Sequence, residues 1–221
     1  MNKEVTDFLA MIGVDTRYIS LYKKLIFINN LKFSRFSHRR EELFLAKHPD
    51  YQIIRSKIFQ KMCIRASRYL SKCLNPGEKI LIHKNGTCSS LILYLILEPY
   101  QRKYGIKIIH DDSLEYTTDN DVDSVASSIT LDQEVGNLIK KMFEGRKIEL
   151  TSIKTVKEDL KVIYPLINIP DAWIKIWMDK NYQPCTITPA YETSADLLNF
   201  LEQYIPDVRE NMLKSALSLS E

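Results

Sequence analysis

The sequence is poor in the features that mark several large classes of protein. Its 221 residues include only 6 glycines and 8 prolines, too few turn-forming residues for a many-stranded β-sandwich, and this favours long helices. The longest apolar run, 91–97, contains Tyr94 and ends at Glu98. It falls short of the roughly 18 apolar residues that a membrane-spanning helix needs. We therefore expect a protein that has no membrane segment.

Paired cysteines of the C-x-x-C type are also absent. The four cysteines stand far apart, at Cys63, Cys73, Cys88 and Cys185, which argues against a zinc ribbon or a thioredoxin-type motif. The N-terminal segment carries Glu4 and Asp7 where a secretory signal would be basic. We expect a cytoplasmic protein with reduced cysteines and no metal site.

Positive charge is concentrated in one segment. Between Lys32 and Lys72 there are eleven basic and three acidic residues, although the whole chain carries a net charge of only +3. Phenylalanine and tyrosine are interleaved with these residues, a combination that suits phosphate binding and base stacking. The alternative is a solvated pair of amphipathic helices with aromatic residues in the core. The candidate phosphate-binding residues are Lys32, Arg35, Arg39, Arg40, Arg55, Lys57, Lys61, Arg65 and Arg68. By contrast, the segment 111–134 has eight acidic residues and no basic one.

The hydrophobic pattern predicts an α/β protein with a parallel sheet flanked by helices. Strands are predicted at 79–83, 106–110, 125–129, 148–153 and 161–164, and helices at 53–70, 89–104, 131–143, 171–178, 193–204 and 207–219. The order strand, helix, strand from residue 79 onward implies a right-handed crossover between parallel strands. We expect a basic helical extension over residues 1–74 and an α/β domain over residues 75–221.

The first strand-to-helix loop of such a domain is where anions bind, because the helix N-terminus points there. This loop reads Lys84-Asn85-Gly86-Thr87-Cys88-Ser89, which is neither a Walker A motif nor a dinucleotide-binding motif. It resembles the SGGxDS loop of the PP-loop ATPases, with Gly86 and Ser89 kept and with Lys84, Asn85 and Cys88 as departures. All six residues are candidate phosphate contacts. Cys88 is either a structural thiol or a nucleophile at the start of the helix.

Three further segments resemble the tRNA-thiolating branch of that superfamily. They are Thr130-Leu-Asp-Gln-Glu134, Ile163-Tyr-Pro-Leu-Ile-Asn-Ile-Pro170, and the stretch from Cys185 to Leu217 with Phe200-Leu-Glu and Met212-Leu-Lys-Ser215. The resemblance covers about residues 75–217. It implies a PP-loop fold and identifies Cys185 as a remnant of the sulfur-handling cysteines. The zinc-binding cysteine pairs and the central cysteine pair of the branch are missing here.

Together with the altered loop, these losses resemble the degenerate second subunit of wobble-uridine thiolation, the cytoplasmic tRNA 2-thiolation protein 2 family. The resemblance implies a non-catalytic subunit that binds tRNA through the basic extension. It also implies an active PP-loop partner in a heterodimer and a ubiquitin-like sulfur carrier. We expect no cofactor, with ATP as the open alternative. Two other functions remain: an active ATP-dependent tRNA sulfurtransferase with an altered loop, and a nucleotide-binding scaffold domain that binds no RNA.

Overall fold

The computed structural model describes residues 3–83, 85–111, 122–153, 156–157, 160–181, 185–186 and 192–219. Residues 112–121 of the acidic segment and Lys84 lie outside these residues. The α-helices are α1 Lys3–Met11, α2 Leu31–Ser34, α3 His38–Lys47, α4 Lys57–Cys73, α5 Cys88–Leu97, α6 Tyr100–Lys103, α7 Leu131–Phe143, α8 Asp171–Asn181, α9 Glu192–Glu202 and α10 Val208–Ser218. The strands are β1 Ile19–Tyr22, β2 Leu25–Ile28, β3 Gln52–Ile54, β4 Lys79–His83, β5 Lys107–Asp111, β6 Ser124–Ala126, β7 Val156–Lys157 and β8 Leu160–Ile163.

The main sheet confirms the predicted fold class. Its strand order is β5-β4-β6-β8-β7, with only the β7–β8 pair antiparallel. The centre of β4 is buried at Ile80, Leu81 and Ile82, as expected for a strand that is covered by helices on both faces. The chain leaves β4 toward β5 on one side and later returns to β6 on the other. The carboxyl end of β4 is therefore the switch point at which open α/β sheets bind ligands.

The N-terminal segment differs from the helical extension that the sequence predicts. It contains a three-stranded sheet in which β1 pairs antiparallel with β2, and β2 pairs parallel with β3. The predicted helix from Ile53 begins at Lys57 instead, because Ile53 pairs with Ile26 in the sheet and Ser56 caps the helix. The boundary at residues 74 and 75 remains a prediction.

Two other elements correct the sequence interpretation. The single helix that was predicted over 89–104 is divided into α5 and α6 at Pro99, since proline cannot donate the hydrogen bond that a helix interior requires. The strand predicted at 148–153 is absent from the described residues, and Thr151–Ile153 forms a short 3₁₀ turn. In contrast, α7 has the predicted bounds and begins with a capping box of Thr130 and Gln133.

The N-terminal sheet and α4 pack into the core of the α/β fold. Phe27 of β2 and Phe59 of α4 lie 5.5 and 5.7 Å, centroid to centroid, from the ring of Trp177 in α8. All three side chains are fully buried. The same cluster includes Met62, Ala66 and Leu70 of α4. Helix α4 therefore has one face fixed in the core, and its other face is available for charged residues.

A buried ion pair joins the N-terminal sheet to α5. Glu98 accepts two hydrogen bonds from Arg102, at 2.5 and 2.7 Å, and one from the backbone N–H of Leu21 at 3.1 Å. Arg102 in turn donates to the carbonyl groups of Thr16 and Ile19. Because both charged groups are almost completely buried, the cost of their desolvation is offset only while this whole network is formed. No helix among the described residues is long and apolar enough to cross a bilayer.

Stability should depend on pH through Asp171, the first residue of α8. Burial, reinforced by Asp132, raises the pKa of the Asp171 carboxyl from 3.8 to about 6, against the lowering effect of Thr130 and Arg209. The folded protein therefore holds this proton over a pH range in which the unfolded chain has released it, and stability falls as the pH rises from 4 to 7. We expect Asp171→Asn to raise the free energy of unfolding by about 1 to 2 kcal/mol at pH 7. The gain should disappear at pH 4.

Urea unfolding at several pH values measures this effect. Asp179→Asn is the matched control, because Asp179 is exposed on the same helix. A gain for Asp171→Asn that is equal at pH 4 and pH 7 would contradict the prediction.

Candidate functional site

The loop after β4 is built to start a helix. Asn85 Oδ1 accepts hydrogen bonds from the backbone N–H of Thr87 at 3.2 Å and from its hydroxyl at 2.7 Å. Thr87 then caps α5 by accepting a bond from the N–H of Ser90, and the Ser90 hydroxyl donates to the carbonyl of His83. Gly86 adopts a positive φ of 69°, which a residue with a side chain would rarely adopt. The conformation of this turn therefore favours glycine at the position where the loop shares one with the SGGxDS pattern.

The segment 185–186 closes this loop from the opposite side. The N–H of Cys88 donates to the carbonyl of Thr186 at 2.8 Å, and the N–H of Thr186 donates to the carbonyl of Gly86 at 3.1 Å. Cys88 and Cys185 are joined by a disulfide, with their Cα atoms 5.0 Å apart. The first amide group of α5 is one that an anion at a helix N-terminus would use. Here that amide group already donates its hydrogen bond to the Thr186 carbonyl.

The disulfide corrects the expectation of reduced, unpaired cysteines. The two residues are 97 positions apart in the chain, so their spacing in the sequence gave no indication that they are neighbours. Cys88 is the residue that replaces the acidic position of the SGGxDS pattern, and Cys185 is the predicted sulfur-handling remnant. The fold brings these two candidates together at one point.

A cavity of about 380 Å³ opens beside this closed loop. This volume is within the usual range for small-molecule sites, roughly 300 to 1,000 Å³. The lining residues are Tyr22, Ile82, Gly86, Thr87, Ser90, Leu91, Tyr94, His110 and Cys185. The ring of Tyr94 lies 6.0 Å from Tyr22 and 5.2 Å from His110, so a group of aromatic rings lines the cavity together with residues of the loop. Burial, and secondarily Glu98, raises the pKa of Tyr94, so its hydroxyl stays protonated at neutral pH.

The aromatic wall was not predicted from the sequence. Tyr94 left one signal, because it is the polar residue that interrupts the apolar run 91–97. No sequence feature indicated Tyr22, because it reaches the cavity from a separate sheet. Thr186 was also missed, because its role lies in its backbone. Of the six predicted loop residues, Gly86 and Thr87 line the cavity, and Asn85 and Ser89 support the turn through hydrogen bonds with Thr87. Cys88 forms the disulfide, and Lys84 lies outside the described residues.

The nine predicted phosphate-binding residues fall into two groups. Three have structural roles: Arg40 donates to the carbonyl of Arg35, Arg55 pairs with Glu41, and Arg65 binds both the Asn168 carbonyl and Glu210. The other six are exposed: Lys32, Arg35, Arg39, Lys57, Lys61 and Arg68. The fold therefore presents two thirds of the predicted set to solvent.

Helix α4 carries the most regular of these charges. Lys57, Lys61, Arg65, Arg68 and Lys72 follow one another at intervals of three or four residues, which places them along one side of the helix. We call these five residues the basic stripe. The helix has no acidic residue, and the stripe extends over about 22 Å at 1.5 Å per residue. All of the stripe except the partly buried Arg65 is exposed.

Comparison with known proteins supports the fold. No family model matches the chain. A probable sulfurtransferase of Methanocaldococcus jannaschii is 20% identical over 205 residues, covering 88% of this chain and 52% of the relative. The chain thus spans about half the length of that relative. The solved structure of the U34-tRNA thiolase NcsA from Methanococcus maripaludis, with its [4Fe-4S] cluster, superposes with a TM-score of 0.57 at 16% identity, covering 78% of this chain and 82% of the thiolase. This chain has the fold of a PP-loop tRNA thiolase.

The thiolase structure overturns the expectation that no cofactor is involved, because the protein of the same fold holds a [4Fe-4S] cluster. The donors of this chain do not fit such a cluster, which several cysteine thiolates must hold. Cys88 and Cys185 bond to each other, and Cys63 and Cys73 lie on α4, where burial raises the pKa of both thiols. Within the described residues, no three histidine, cysteine or acidic side chains converge. The cluster of the thiolase therefore has no ready counterpart among these side chains.

The disulfide can be tested by counting thiols. We expect two alkylated cysteines per chain when the protein is unfolded without reductant, and four after reduction, as measured by mass spectrometry. Reduction should also lower the melting temperature, because cross-linking about 100 residues stabilises a fold by roughly 5 kcal/mol in the chain-entropy model. Cys73→Ser is the control that leaves the cross-link intact. Four reactive thiols in the unreduced protein would show that the bond does not form.

Proposed function

We propose that this protein is the tRNA-binding, non-catalytic subunit of a tRNA thiolation system. The observation that carries the proposal is the closed loop. In this loop the N–H of Cys88 donates a hydrogen bond to the Thr186 carbonyl, and the Cys88 sulfur forms a disulfide with Cys185. A loop that cradles pyrophosphate works by offering backbone N–H groups to the phosphate oxygens. A peptide segment that accepts from that loop competes with the nucleotide for the same donors.

The fold and the charge pattern support the rest of the proposal. The M. jannaschii relative is a probable sulfurtransferase and the structural neighbour is a tRNA thiolase, so tRNA is the substrate class to expect. The basic stripe supplies a row of cations without a competing acid on its own helix, as phosphate binding requires. Under this proposal, a second PP-loop subunit with an intact SGGxDS loop activates the wobble uridine in the cytoplasm. A ubiquitin-like carrier delivers sulfur to that subunit.

A second function, an active tRNA sulfurtransferase, is favoured by the same pair of cysteines. When reduced, Cys88 and Cys185 would present two thiols beside the cavity, one of them at the first position of α5. A helix N-terminus favours the thiolate form, which is the nucleophilic one. The two functions therefore make opposite predictions for the reduced protein.

Binding to tRNA should depend on the basic stripe. We expect the triple variant Lys57→Gln, Lys61→Gln and Arg68→Gln to reduce the slope of log affinity against log salt by about 2 to 3, because each lost phosphate contact removes about 0.7 to 0.9. Filter binding of total tRNA between 50 and 200 mM KCl measures the slope.

The control for that experiment removes three exposed lysines from other elements: Lys3→Gln, Lys107→Gln and Lys214→Gln. It has the same change in net charge as the stripe variant. Equal slopes for the two triple variants would mean that only the overall charge matters. Arg65 is left intact because its bonds to Asn168 and Glu210 are structural.

Catalysis should require a partner. We expect the reduced protein alone to form no 2-thiouridine when it is incubated anaerobically with tRNA, Mg-ATP and sulfide, and nucleoside mass spectrometry provides the readout. Affinity purification from the source organism should recover a second PP-loop protein with an intact SGGxDS loop. If the chain alone thiolates tRNA and both Cys88→Ser and Cys185→Ser abolish the reaction, the active-enzyme alternative is correct.

A further inference from the structure

A second cavity lies between the N-terminal elements and the helices α4 to α6. Its volume is about 270 Å³, and it shares no lining residue with the cavity beside the loop. The lining residues are Arg17, Tyr18, Asn29, Asn30, Phe33, Cys63, Ile64, Ser67, Ile96, Pro99, Tyr100 and Lys103. This volume is just below the usual range for small-molecule sites, so the cavity suits one small aromatic group rather than two.

The cavity has aromatic walls. The rings of Tyr18 and Phe33 are 5.3 Å apart, centroid to centroid, and Tyr100 contributes a third ring. Phe33 is 52% exposed, so part of its ring is open to solvent. Flat, partly open ring faces are the surfaces on which unpaired bases stack.

The cavity also carries positive charge that has little local compensation. The Lys103 ammonium lies 5.8, 5.0 and 5.4 Å from the ring centroids of Tyr18, Tyr100 and Tyr104, and no ion pair between described residues includes it. Burial, reinforced by repulsion from Arg17, lowers the pKa of Lys103. Asp15 is committed to Arg17 through two side-chain hydrogen bonds of 3.0 and 2.8 Å. Lys103 is nevertheless exposed to solvent, so an incoming anion can reach its ammonium.

Polar groups complete the lining. Asn29 is 7% exposed, and its side-chain oxygen accepts from the Ser20 hydroxyl at 2.9 Å, so its amide N–H groups are the donors that it can offer to a ligand. The Ser67 hydroxyl donates to the Ile64 carbonyl and retains its lone pairs as an acceptor. Donors and an acceptor beside stacking surfaces match the edge of a nucleobase.

The position of the cavity connects it to the basic stripe. Ile64 and Ser67 belong to α4, and Ser67 is the immediate neighbour of Arg68 in the stripe. Ile64 stands three residues after Lys61 and four before Arg68, the spacings that place side chains on one side of a helix, so a chain whose phosphates follow the stripe passes the rim of the cavity. We propose that this cavity, through Tyr18, Phe33 and Lys103, binds one unstacked nucleotide of the RNA that the basic stripe holds.

This inference rests on the proposed tRNA binding, and the test keeps the two apart. The probe is a single-stranded RNA decamer with one 2-aminopurine, whose fluorescence is quenched when the base stacks. We expect Phe33→Ala to abolish the quenching and to weaken binding about tenfold, within the range for one stacked base. Its salt slope should remain that of the natural protein. Lys103→Gln should weaken binding similarly and lower the slope by no more than about 1.

Phe200→Ala is the matched control, because Phe200 is 55% exposed on α9 and also packs against a tyrosine, Tyr204, with ring centroids 5.2 Å apart. Binding and quenching that persist in Phe33→Ala, while the triple stripe variant loses its salt slope, would overturn the nucleotide site and leave tRNA binding intact. An unchanged slope in the stripe variant would contradict the proposed function itself. If saturating AMP binds at Lys103 without displacing the decamer, the site serves free nucleotides, and the RNA assignment is wrong.

Discussion

The ion pair between Glu98 and Arg102 is the contact on which both cavities depend. It links the end of α5 to the backbone at Thr16, Ile19 and Leu21, and thereby holds the N-terminal sheet against the α/β core. The loop cavity receives Tyr22 from that sheet, and the second cavity receives Arg17, Tyr18 and Asn29 from the same segment. A buried charge that loses its partner is strongly unfavourable. Removal of either Glu98 or Arg102 alone should therefore destabilise the fold strongly. Residues of the N-terminal segment therefore line both cavities.

The closed loop keeps the geometry of a strand-to-helix turn while its first amide group is used within the chain. The turn is still made by Gly86 and the helix is still capped, by Thr87, so the geometry that would present amide groups to an anion is maintained. The Cys88 amide now binds the Thr186 carbonyl. A peptide carbonyl is a neutral acceptor and a pyrophosphate is a charged one, and charged acceptors form the stronger hydrogen bonds. The disulfide between Cys88 and Cys185 offsets this disadvantage by keeping the peptide segment at the loop.

The sequence predicted the features that depend on local pattern and missed those that depend on long-range contact. The strand at 79–83 and the helix at 131–143 follow from apolar periodicity and capping residues, and both are found with the predicted bounds. Ile53 and Ile54 were assigned to the start of a helix, because so short a segment cannot be recognised as a strand by its period. The pairing of both residues with β2 shows that they belong to a strand. The disulfide and the aromatic walls could not be predicted, because each joins residues whose proximity exists only in the folded chain. The concentration of positive charge is visible in the sequence, but its division between structural and exposed arginines required the fold.

That division explains why the middle of α4 differs from its ends. Arg65 stands at the centre of the basic stripe, yet it lies over the ring of Trp173 at 4.2 Å and binds the Asn168 carbonyl and Glu210 of α10. Its guanidinium can serve several acceptors in fixed directions, which suits a residue that joins three elements. The stripe also contains lysines, whose compact charges stand on flexible stems: Lys57, Lys61 and Lys72. In the proposed function, such side chains can adapt to the phosphates of an RNA strand without a fixed geometry. One helix thus combines a buried apolar face, a central structural arginine and exposed lysines. Positive charge held in place by that core is better suited to binding RNA than the same charge on a mobile tail, because less conformational entropy is lost on binding.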